Sequence, residues 1–253
     1  MTSLKEYYNN VYAENKDQNW NDYQNKNNLG DSHQFVIDQI AEQKIITDTI
    51  LDVGCGKGNF LAFFKNAVRR CGIDFSEVAI SCAKNQHNNI DFILGDESSI
   101  SGQYDLVTSF GVIEHTDNPS LHFKKLYEST KKGGSIFIAC PNHCNIRGII
   151  WQTLSLLFNV PMSLADRHVI GFNDIKKLIC VEDKLNFFTI DDNISMKQGM
   201  IKDLTKRLPN ALSDANMSIE NVLYLLNWLE ENYQFFESNK YSGWTSIFHI
   251  LKA

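Results

Sequence analysis

The feature that most limits the folds open to this chain is an alternation that begins at Asp48, in which short apolar, β-branched runs take turns with helix-like runs. The runs Thr49 to Val53, Val68 to Asp74, Ile90 to Leu94, Tyr104 to Ser109 and Ser135 to Cys140 read as strands. Between them, Asn59 to Asn66, Glu77 to Gln86 and Pro119 to Lys131 read as helices, with Ser76 and Asn118 as N-caps and Gly133 after the last. Such an alternation specifies an α/β, doubly wound sheet, mostly parallel and covered on both faces. Ligands of such sheets bind at the carboxyl ends of the strands.

The flanks are read the same way. Asp31 to Gln43 is an amphipathic helix with Phe35, Val36, Ile40 and Ala41 on one face. Beyond the core, NDIKKLIC is a helix capped by Asn173, NFFTIDDNI a strand and GWTSIFHILKA a final strand, with helices at Met196 to Leu208 and Ser218 to Phe236. Gly148 to Ala165 carries no charge, but Gln152, Thr153, Ser155 and Asn159 dilute it and Pro161 breaks it. It is expected to cover an apolar cavity and not to span a membrane.

Composition narrows the partners. A net charge of -6 argues against non-specific nucleic-acid binding. The first residues lack a basic stretch followed by an apolar one, and the six cysteines are scattered, so a cytoplasmic, reducing setting is expected. Cys140, His143 and Cys144 cluster in CPNHC, but three ligands fall short of a closed zinc site, and no metal is expected.

The decisive local motif is ILDVGCGKGNF, where Gly54, Gly56 and Gly58 leave the first strand. A backbone this bare lets a ligand approach closely. A phosphate loop would need Ser or Thr after Lys57, where Gly58 stands, and a dinucleotide fingerprint would need a glycine where Asn59 stands. Acidic residues then recur at strand ends: Asp74 in CGIDFS and Asp96 in LGDESS. Each alone could be no more than a turn or helix cap.

The run Asp52, Gly54, Gly56, Gly58 resembles motif I of the class I S-adenosylmethionine-dependent methyltransferases. Through YDLVTSFGVIEHTDNP and KKGGSIFIACPN the likeness extends to the ubiquinone-type small-molecule enzymes, over roughly Asp48 to Asn142. The resemblance implies a Rossmann-like, seven-stranded sheet with an antiparallel last strand and helical lid insertions. It implies S-adenosyl-L-methionine as cofactor, with Asp52 and the glycine turn facing the methionyl part, Asp74 the ribose, Asp96 and Glu97 the adenine, and Phe75 and Phe110 nearby. One domain, 1–253, is then expected: an N-terminal helical segment 1–46, a cofactor-binding core 48–140, and substrate-covering insertions 142–172 and 195–240.

The methyl group of a sulfonium is already activated, so what remains is alignment and, for a hydroxyl acceptor, a base. His115, in the Glu-His turn that resembles the family's, and His143 and His168 are the candidate bases. Arg147 and Arg167 lie beside the last two and are candidates to grip a phosphate or carboxylate on the acceptor. The expected activity is transfer to oxygen of a small molecule, with phosphate- or sugar-linked precursors of bacterial surface polysaccharides among the acceptors the resemblance leaves open. A small-molecule N-methyltransferase and a catalytically silent cofactor-binding scaffold are the alternatives.

Overall fold

The computed structural model describes residues 4–13, 29–160, 166–191, 196–236 and 239–253. Pro161 and the end of the uncharged run after it lie outside these residues, as do parts of the N-terminal segment and of the later insertion.

Seven strands form one sheet: β1 Thr49–Val53, β2 Arg69–Asp74, β3 Asp91–Leu94, β4 Tyr104–Phe110, β5 Thr130–Pro141, β6 Lys184–Ile190 and β7 Thr245–Leu251. Their order is β3-β2-β1-β4-β5-β7-β6. β1 pairs in parallel with β2 and β4, β2 with β3, and β4 with β5, whereas β7 runs antiparallel to both β5 and β6. This is the mixed, Rossmann-like sheet that the resemblance implied. The winding reverses between β1 and β4, so a crevice opens beyond their carboxyl ends.

Alternate residues of the central strands face opposite sides, as a pleated strand requires. Ile50, Leu106 and Phe137 pack on one face with helix α2 (Asp31–Gln43), α3 (Asn59–Phe63) and α4 (Glu77–Gln86). Leu51, Val107, Ile136 and Ile138 pack on the other with α5 (Pro119–Glu128) and α7 (Phe172–Lys176). A third cluster joins α6 (Ile146–Phe158), α8 (Met196–Asp214) and α9 (Val222–Asn232) through Trp151, Met200, Leu204, Leu226 and Leu229. Among the described residues, no helix is long and apolar enough to cross a membrane.

Two caps fall where the sequence puts them: the Ser76 hydroxyl accepts from the Ala79 amide at 3.2 Å and Asn118 from the Leu121 amide at 3.0 Å. Several boundaries differ: α5 ends at Glu128 and β5 begins at Thr130, α8 runs on to Asp214, and α9 spans Val222–Asn232. α7 begins at Phe172 with Gly171 as its N-cap, so Asn173 sits inside the helix, because the Asp174 carboxylate accepts from the Gly171 amide and closes the turn two residues earlier. α3 stops at Phe63. Gly133 lies within β5, where its amide donates to Lys252.

Candidate functional site

The turn after β1 is fixed by its neighbour: the amides of Gly54 and Cys55 both donate to the Ile73 carbonyl of β2, at 2.7 and 3.0 Å. Gly54 takes φ 81°, and a Cβ there would overlap the side chain of Val112. Gly58 takes φ 79°, and its Cβ would come within 2.5 Å of the Phe92 ring. Both positions therefore exclude a side chain on two counts, backbone conformation and space. Of the turn, Gly54 lines a cavity of about 280 Å³ together with Val53, Asp74, Phe75, Asp96, Glu97 and Val112, whereas Gly56 and Gly58 lie off its wall.

The acids of this cavity are held by amides and hydroxyls. Asp74 ends β2; its two oxygens accept from the Gly56 amide at 2.9 Å and the Ser76 amide at 2.8 Å. Burial nonetheless raises its pKa, since desolvation outweighs those bonds. Asp96 accepts from the hydroxyl and amide of Ser98, which hold its pKa down. Glu97 lies 3.4 Å from Nδ1 of the buried His122, and that contact lowers its pKa. Asp52 stands one step back, on the wall of neither cavity: fully buried, it accepts from the Thr108 hydroxyl at 2.7 Å, and desolvation pushes its pKa up to about 7.

Helix α1 (Leu4–Ala13) packs across this region. Lys5 pairs with Glu77 at 2.8 Å, Ser76 donates to Asn9 at 2.7 Å, and Tyr8 packs edge-on against Phe75 and tilted against His115. The Tyr8 pKa is raised, first by burial and then by Glu114. Tyr8 thus lies between the acids of the smaller cavity and those of a second one.

That second cavity, about 610 Å³, opens at the ends of β4 and β5 and the start of β7. Its wall includes Phe110 at the end of β4, Gly111 and Glu114 after it, Ala139 to Pro141 of β5, Asp31 and His33 at the start of α2, Asp166, Arg147 of α6, and a stripe of α8. Glu114 is 2% exposed and, among the described residues, its Oε2 has no hydrogen-bond partner. Desolvation, with Asp166 adding to it, pushes its pKa up to about 8. His33 is half-buried, its Nδ1 shut off from solvent and unpartnered among the described residues; the ring is wedged against Phe110 with centroids 4.5 Å apart, and desolvation pulls its pKa down to about 4. A buried carboxyl and a neutral imidazole on one cavity wall can each take or give a proton.

The three histidines expected from the sequence all lie off this larger wall. His115 lines the smaller cavity, its Nδ1 3.4 Å from Asp166 and its Nε2 3.7 Å from Glu114. His168 holds the same turn: its ring nitrogen is 2.9 Å from the Thr116 carbonyl, and its amide and that of Arg167 both donate to the Glu114 carbonyl. His143 is buried beneath α6 with Nδ1 unpartnered, on neither wall. The two arginines separate rather than gather. Arg147 is bound by Asp203 at 2.7 Å and stacks over Trp244, whereas Arg167 pairs with Asp117 beside the smaller cavity. Segment 166–168 lies against the Glu114 turn, which draws Arg167 away from Arg147.

Sequence reasoning passed over Glu114, Asp166, His33 and Tyr8 as site residues. Glu114 was legible only as the neighbour of His115, and nothing local marks the others.

A family model described as a methyltransferase domain matches residues 6–188. A ubiquinone biosynthesis O-methyltransferase of Shewanella halifaxensis is 31% identical over 169 residues, which are 61% of this chain and 69% of that protein. Pavine N-methyltransferase of Thalictrum flavum subsp. glaucum is 27% identical over 129 residues, 46% of this chain and 36% of the relative. Among solved structures, the plantazolicin methyltransferase BpumL with SAH and a monoazolic desmethylPZN analog superposes with a TM-score of 0.56 at 18% identity, over 96% of this chain and 89% of that one, a likeness of fold.

Proposed function

The chain belongs to the class I S-adenosylmethionine-dependent methyltransferases, and on that premise we propose that it methylates an oxygen of a small molecule held in the larger cavity. S-adenosylmethionine supplies an electrophilic methyl group on a sulfonium. The bare turn at Gly54 and the carboxylate of Asp74 at the wall of the smaller cavity suit its nucleoside and methionyl parts, with Asp96, Glu97 and Phe75 toward the base.

The observation that carries the reading is Glu114: a buried carboxyl with a free oxygen, on the wall of the larger cavity and two residues beyond Val112 at the glycine turn. As carboxylate it takes the proton from an acceptor hydroxyl at Oε2, while the oxygen's electron pair forms the bond to carbon and the carbon–sulfur pair returns to sulfur. His115 and His168 act as positioning residues, one between Glu114 and Asp166 and the other on the turn's backbone. Tyr8 and Phe110 keep water from the meeting point of the cavities.

A nitrogen acceptor is the second reading, favoured by the acids Asp31, Glu114 and Asp166 on one wall, which suit an ammonium. Calorimetry should show saturable binding of S-adenosylmethionine and SAH, with ATP and NAD competing poorly. Absence of binding at millimolar cofactor would overturn the enzyme reading. Turnover on matched hydroxyl and amine compounds, followed by SAH release, then decides the acceptor atom: turnover confined to the amines overturns the oxygen assignment.

A further inference from the structure

We infer that Lys202 and Lys206 form an anion-binding end of the larger cavity, so that the acceptor carries a carboxylate or phosphate group remote from the atom that is methylated. The inference rests on the proposal that this cavity holds the acceptor.

The stripe that α8 turns to the cavity is Gly199, Lys202, Asp203, Lys206 and Arg207, residues three and four apart that share one side of a helix. The cations of the wall divide into two kinds. Arg147 is taken by Asp203 Oδ2 at 2.7 Å and by the Trp244 ring, its guanidinium carbon 4.8 Å from the centroid. Arg207 is taken by Asp203 Oδ1 at 2.9 Å, lies 4.0 Å from Asp166 and stacks over Trp151. Asp203 also accepts from the Trp151 indole, so both its oxygens are engaged. Both arginines are thus committed to building the cavity. Lys202 and Lys206 line the same wall as exposed side chains, and among the described residues neither ammonium group has a hydrogen bond or ion pair.

Two like charges at positions i and i+4 repel mildly, and an anion placed between them turns that cost into two charge-assisted contacts. Apart from Asp203, which the two arginines hold, the acids lie elsewhere on the wall: Glu114 and Asp166 near the end of β4, and Asp31 at the start of α2. The cavity therefore offers proton-accepting groups where β4 ends and unmatched ammonium groups on the helix above. A volume of about 610 Å³ suits a small molecule long enough to reach both.

The test uses the full chain loaded with SAH and titrated calorimetrically with inorganic pyrophosphate and, separately, with glutarate. Saturable binding is expected for at least one probe, weakened about tenfold or more in the Lys202→Gln/Lys206→Gln double variant and largely kept in the Lys202→Arg/Lys206→Arg variant. Glutamine keeps helix propensity, and unchanged SAH affinity shows that the variants are folded. Binding of pyrophosphate alone assigns a phosphate; binding of glutarate as well admits a carboxylate. Equal binding by the double-glutamine variant, competition of either probe with SAH, or no saturation by either would overturn the inference. Because SAH affinity is measured separately on the same variants, failure of the methyltransferase site and failure of the anion subsite give different results.

Discussion

The smaller cavity is furnished with acids that are already gripped: Asp74 by two backbone amides, Asp96 by Ser98, Glu97 by His122. The larger cavity, a few residues away across Val112, presents the opposite condition among the described residues, with the buried atoms Glu114 Oε2 and His33 Nδ1 unpartnered and two lysines that are exposed to solvent and unpaired. Leaving a buried polar atom unpaired costs roughly 1–3 kcal/mol. A fold tolerates that where a ligand supplies the missing partner, so the larger cavity holds its reactivity in reserve while the smaller one is set in advance. Binding in the first then depends mainly on shape, and chemistry in the second on free atoms.

The largest effect that follows is at Gly54. Alanine there must adopt φ 81° and push into Val112, combining a left-handed backbone, about 1–2 kcal/mol, with overpacking of about 1–3 kcal/mol. Thermal unfolding should register that loss, and calorimetry should find no measurable cofactor binding. Retained affinity would break the comparison, since the smaller cavity would then not depend on its preset shape.

Next comes Glu114→Gln, which keeps the size of the side chain and removes its basicity. The rate should fall by about 10²–10⁴-fold, the usual contribution of a positioned base, with the affinity for SAH, which lacks the sulfonium charge, within a factor of about two. His33→Gln is the companion experiment on the other free atom. If it lowers the rate as far while Glu114→Gln does not, proton transfer belongs to α2 and not to the β4 turn.

How much of this was legible beforehand follows the range of the interactions. β1 to β5, the glycine turn and the caps at Ser76 and Asn118 depend on residues close in sequence, and the pattern of apolar runs and turn residues displays them. Asp74 was legible for the same reason, since it ends a strand and caps its own turn through Ser76. The larger cavity is assembled from α2, the ends of β4 and β5, position 166, α6, α8 and β7, so no window of sequence contains it. The pairing of Arg147 with Asp203 spans 56 residues, and it removes from candidacy an arginine that a local reading leaves free. Even the start of α7 turned on one contact, Asp174 to the Gly171 amide, that competes with the more familiar cap at Asn173.

The smallest expected effect sharpens the comparison without a mutation. Burial puts the Glu114 pKa at about 8 and that of Asp52 at about 7, both above ordinary carboxyl values. Between the ordinary value and the raised one, the folded chain holds protons that the unfolded chain has lost. The unfolded state therefore binds fewer protons, and stability falls as pH rises from about 4.5 to about 8. Ionisation also changes what the site prefers. S-adenosylmethionine and SAH differ by the positive charge on sulfur, so carboxylates formed near the cavity junction favour the first over the second. The ratio of the two affinities should rise by on the order of tenfold between pH 6 and 9, the equivalent of about 1.4 kcal/mol between charges a few ångströms apart in a partly screened site. In Glu114→Gln the rise should shrink and the remainder should centre near the lower pKa of Asp52. A ratio flat with pH in the wild-type chain would mean that the free carboxyl does not sense the sulfur, and would move the proton-accepting atom elsewhere on the wall.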